Sequence, residues 1–71
     1  MSNCAPCNNA TFISLVSEAI TDDLGAISMY AQMAKMVDNL ALEALFTGIV
    51  GDEYGHVRTW MTILALCEVN S

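Results

Sequence analysis

Apolar positions recur every three to four residues in two long segments, separated by a short break at Asp38-Asn39. In the first segment Val16, Ala19, Ile20, Asp23, Ile27, Tyr30, Ala34 and Val37 fall on one side of a helix turning about 100° per residue. Ser14, Glu18, Thr21, Gly25, Ser28, Gln32, Lys35 and Asn39 fall on the other side. This pattern predicts a helix that begins at Asn9 or Thr11, either of which can cap it, and ends near Val37. Asn39 can close one helix and cap the next. The second helix is then expected from about Leu40 to about Cys67. Leu42, Leu45, Ile49, Glu53, His56, Trp60, Ile63 and Cys67 share its apolar stripe, with Thr47, Gly51, Tyr54, Arg58 and Thr62 opposite. A link of two or three residues folds two such helices into an antiparallel hairpin. The expected architecture is therefore all-α: a helical hairpin over residues 11–68, between an N-terminal tail (1–10) and a short polar end (69–71).

Three side chains break the apolar stripes. Asp23 sits at the centre of the first, with Asp22 about 100° away at its boundary and Glu18 on the polar side. Glu53 and His56, a Glu-x-x-His pair, point the same way from the middle of the second. With the turn at residue 38, Asp23 lies level with Glu53, Ile20 with His56, and Tyr30 with Phe46. Two carboxylates and an imidazole are thus expected together in an apolar setting, where burial is costly without compensation. Lys35 and Arg58 lie on the polar faces and cannot neutralise them. Protonation is one escape for a desolvated acid. A bound divalent metal is the other, and mixed carboxylate and imidazole donors suit iron or manganese, with zinc also compatible.

Composition narrows the setting. The chain has 71 residues, of which 55% are hydrophobic. One hairpin cannot hide that much apolar surface, so a homodimer or a higher ring is expected. A net charge of −6 argues against nucleic acid as a partner. No apolar run reaches the ~20 residues of a membrane span. No basic segment precedes an apolar one as in a secretory signal, and three cysteines do not make a closed disulfide framework, so a cytoplasmic location is expected. Cys4-Ala5-Pro6-Cys7 reads as two incidental thiols in a frayed tail, as half of a metal or redox site completed by another chain, or as a disulfide formed during handling. Met29, Met33, Met36, Trp60 and Cys67 read as packing, and Gly48, Gly51 and Gly55 as permitting close helix approach on one side.

One hairpin offers only Asp23, Glu53 and His56. A dinuclear carboxylate site in a four-helix bundle takes a carboxylate from each of two helices and Glu-x-x-His from each of the other two, which two copies of this hairpin would supply. Asp22-Asp23-Leu24, Met29-Tyr30 and, about thirty residues after the acids, Glu53-Tyr54-Gly55-His56 resemble the ferritin-like superfamily. The closest resemblance is to the encapsulated ferritins, which build a di-iron site between two hairpins. Rubrerythrins look similar across Glu18-Ala19-Ile20 and Met29-Tyr30. The resemblance covers about residues 12 to 67 and implies a ferritin-like four-helix bundle made by a dimer. It implies Asp23, Glu53 and His56 as iron ligands, Glu53 bridging, Tyr30 near the metals, and ferroxidase activity. Glu53, His56 and Tyr30 would then be the catalytic residues, although the place of Tyr30 on the apolar stripe favours core packing over a redox role. The family has Glu at the Asp23 position and an aromatic residue at the Met29 position. An encapsulin shell would be the implied partner and compartment, although the end after Cys67 carries no docking peptide for one. The contrasting expectation is a metal-free helical module that self-associates through the same face.

Overall fold

The computed structural model describes residues 9–70. They form two helices, α1 (Ala10–Met36) and α2 (Leu40–Asn70), joined by a three-residue link. Asn9 caps α1: its side-chain oxygen accepts from the backbone N–H groups of Thr11 (2.8 Å) and Phe12 (3.1 Å). This satisfies donors that the first turn of a helix otherwise leaves open. Val37, with extended backbone angles, ends α1. Asn39 caps α2 through its side chain to Leu42 N (3.0 Å), while its carbonyl accepts from Glu43 N (2.9 Å). The second helix runs three residues beyond the expected end at Cys67. The Cys4/Cys7 alternatives concern residues outside those described.

The seam between the helices follows a seven-residue repeat, the spacing of a coiled coil. On α1 it comprises Ile13, Ile20, Ile27 and Ala34 together with Val16, Asp23, Tyr30 and Val37. On α2 it comprises Val50, Val57 and Leu64 together with Phe46, Glu53, Trp60 and Cys67. All of these are buried or half-buried, and Val16, Ile27, Val57 and Cys67 are the most enclosed. The α1 stripe agrees with the sequence pattern. The α2 stripe is rotated by roughly 50° from it: Val57 takes the inward position expected for His56, and Leu42, Leu45 and Ile49 are exposed. The physical reason is that α2 carries apolar residues around most of its circumference, so its amphipathic phase is weak. Val50, Val57 and Leu64, one heptad apart, then pack at the seam.

Two further readings change. Cys67 is buried and disulfide-bonded, so it does more than pack; the other two cysteines, Cys4 and Cys7, lie outside the described residues. A Cβ added at Gly48, Gly51 or Gly55 would meet nothing within 4 Å, so these glycines do not permit a close approach of α1. Within the hairpin they weaken the helix without admitting a neighbour. Each change to Ala is expected to stabilise the protein by up to about 1 kcal/mol in urea or thermal unfolding. A loss of stability at any of the three would mean that another chain packs against that side of α2. Asn39→Ala, by contrast, should cost about 1 kcal/mol through the lost cap.

Candidate metal centre

The seven-residue repeat places two acids in the seam at the same height. Asp23 comes from α1 and Glu53 from α2, and both are half-buried. His56 stands one turn beyond Glu53 at the edge of the seam, with its side chain 63% exposed against 17% for Glu53. One potential ligand atom from each of the three residues lies within 4.8 Å of the other two. Ligands at the ~2.0–2.2 Å typical of a divalent metal would stand roughly 4 Å apart at most. The donors stand near that spacing, and two carboxylates with an imidazole are of the kind that iron, manganese or zinc takes.

Two hydrogen bonds organise these groups. His56 Nδ1 lies 2.8 Å from Glu53 Oε1. Against an ionised carboxylate the nitrogen carries the proton of this bond, and an ion shared by the two side chains would take that proton's place. Across the seam, the Trp60 Nε1–H donates to Asp23 Oδ2 at 3.1 Å. Trp60, which by its place on the stripe reads as a packing residue, thus gives the half-buried acid a donor. The available signal was positional: Trp60 follows His56 by one helical turn, and a buried indole N–H usually finds an acceptor.

An open cleft of about 400 Å³ sits over this cluster, lined by Ala19, Asp22, Asp23, His56, Thr59 and Trp60. Asp22, expected at the stripe boundary, is exposed and faces this cleft, while Glu18 is exposed on the polar side. Tyr30 is half-buried in the seam. It stands two turns along α1 from Asp23, about 10 Å at 1.5 Å per residue, and does not line the cleft.

The cleft opens onto a second stripe on each helix. On α1 this is Leu15, Ala19, Asp22, Ala26, Met29 and Met33; on α2 it is Leu42, Leu45, Ile49, Asp52, His56, Thr59 and Ile63. Both are apolar towards their ends and polar at the height of the cluster, and most of their large side chains are exposed. Among the described residues, no helix is long and apolar enough to cross a membrane. Compared with known proteins, the chain matches no family model, no curated protein and no solved structure.

Proposed function

We propose that two copies of this chain pair through the open face and bind iron in a shared dinuclear centre, where Fe(II) is oxidised by O₂. The observation that supports this reading is the convergence of Asp23, Glu53 and His56 at the edge of a face that is apolar above and below them. The resemblance to the encapsulated ferritins points the same way, and manganese or zinc could occupy the same donors. Iron is the substrate: each Fe(II) gives up one electron, and O₂ accepts them.

The residues divide the work. Asp23 and Glu53 offer hard, anionic oxygens, which favour the more highly charged product ion. Glu53 would be the acid that spans two ions, as the resemblance implies. His56 adds a neutral nitrogen that sets the field without adding charge. Leu45 and Ile49 on α2, with Met29 and Met33 on α1, would be covered in the dimer and would keep bulk water from the cluster. A dinuclear site needs ligands from both chains, so metal binding and pairing support each other.

A second reading is favoured by one observation. The hydrogen bonds Trp60–Asp23 and His56–Glu53 already give each of the polar groups a partner without metal. A metal-free helical module that self-associates through the same face is consistent with them. Metal analysis of anaerobically prepared protein separates the two: about two ions per dimer are expected on the first reading and almost none on the second.

Three outcomes follow for variants. Glu53→Ala and His56→Ala should each abolish accelerated Fe(II) consumption under O₂, since each change removes ligands from both halves of the centre. Retained activity in either would remove that residue from the reaction. Metal content should fall severely in Asp23→Asn, mildly in Asp22→Asn and hardly at all in Glu18→Gln; the reverse order would place the centre on another face. Ile49→Lys should shift the protein to a monomer in analytical ultracentrifugation and lower its metal content, whereas Tyr54→Lys, on the other side of α2, should do neither.

A further inference from the structure

Trp60 stands outside the proposed ligand set, and it is the single tryptophan of the chain. Its indole N–H reaches from α2 to Asp23 Oδ2 on α1 in a part-buried hydrogen bond, and both residues line the cleft that holds His56. An indole nitrogen donates and cannot accept, so this contact has one polarity: it recognises a carboxylate oxygen of Asp23. A carboxylate has two oxygens and, left to itself, can offer a metal either or both of them. The indole holds Oδ2 and with it both side-chain torsions of Asp23; one lone pair stays on Oδ2, but competition from the N–H makes Oδ1 the better donor to a metal. The short arm of an aspartate makes this more consequential than it would be for a glutamate, because there is no third torsion to recover the geometry.

We infer that Trp60 is a positioning residue for the metal centre: its N–H pins Asp23 Oδ2, so that Asp23 meets the metal through Oδ1 alone. The inference rests on the metal-binding reading above and adds a residue that the ligand pattern does not contain. Hydrogen-bond partners of metal ligands set ligand orientation, and their removal typically weakens metal binding by about 10–100-fold.

The chain's single tryptophan allows that one N–H to be deleted with little else changed. Global replacement of tryptophan by its benzothienyl isostere keeps the bicyclic shape and substitutes sulfur for N–H. Trp60→Phe provides a genetically encoded companion. Full-length protein is titrated with Co(II) under anaerobic conditions, following heat by calorimetry and the visible bands of the cobalt. In both altered proteins Co(II) should bind at least about tenfold more weakly than in the unaltered protein. The molar absorptivity of the cobalt bands should also fall, because Asp23 freed from the indole chelates with both oxygens and raises the coordination number. Phe46→Leu, a seam substitution two heptads away, should lower the melting temperature while leaving cobalt affinity and spectrum unchanged. If the unaltered protein binds no cobalt, the metal reading fails and this inference with it. If it binds cobalt and the isostere matches it in affinity and spectrum, Trp60 only packs, and the inference alone fails. If Phe46→Leu shifts the cobalt bands as much as the isostere does, the effect belongs to the seam as a whole and the positioning role is overturned.

Discussion

A polar layer at mid-height of an otherwise apolar helix seam is the constraint that the hairpin has to accommodate. Asp23 and Glu53 occupy inward positions of the seven-residue repeat, where Ile, Val and Phe stand in the layers on either side. A two-helix seam is shallow, and no side chain among the described residues is fully enclosed. The acids are therefore half-buried rather than entombed, and each has a hydrogen-bond partner: the Trp60 N–H donates to Asp23, and His56 Nδ1 pairs with Glu53. Polar groups at such positions generally reduce stability while fixing register. Here they align α1 against α2 at one height, because sliding either helix by a turn would set each acid against an apolar layer and leave Trp60 without its acceptor.

The same layer shapes the outer face. Leu15, Met29, Met33, Leu42, Leu45 and Ile49 are all more than a third exposed, and they flank the cleft above the acids on both helices. An apolar face interrupted at one height by carboxylates and an imidazole cannot be closed by an arbitrary apolar surface, which would leave those groups desolvated. A second copy in two-fold register would meet the requirement, because it would set polar layer against polar layer. A face of this kind discriminates by register as well as by hydrophobicity.

How much of this was legible in the sequence varied with the strength of the local pattern. The hairpin was legible because Asn9 and Asn39 are strong caps, and because Asp38-Asn39 breaks the period. The phase of α1 was legible because its polar residues form a continuous opposite stripe. The phase of α2 was not, since Leu42, Leu45 and Ile49 compete with Phe46, Val50 and Val57 for the inward side, and only packing against α1 decides between them. His56 consequently stands further out than its spacing suggested, although it still reaches Glu53 because residues one turn apart remain neighbours. The level of Asp23 with Glu53 was accessible from simple counting around the turn. The Trp60–Asp23 bond was not, because counting gives heights and faces while a long side chain crosses between layers. The glycines show the same limit: small residues suggest a close neighbour, and within the hairpin α1 does not supply one.

The size of the chain gives the polar layer its significance. Chains below about 70–80 residues rarely build enough core to be stable alone, and they commonly add disulfides, a metal or a partner chain. This one has a disulfide at Cys67 and, among the described residues, a small core of Val16, Ile27, Val57 and Cys67. Under the proposed reading, pairing brings four carboxylates from two copies close to one axis. Without metal their mutual repulsion opposes the apolar gain on closure; with metal that repulsion becomes ligation. A ligand that binds only the assembled state stabilises it by about 2.7 kcal/mol at a hundredfold excess over its dissociation constant. That is a large share of the few kcal/mol that a single small core supplies. The acids in the seam would then make assembly conditional on the ion. A fully apolar seam would be more stable as a bare dimer but would carry no such dependence.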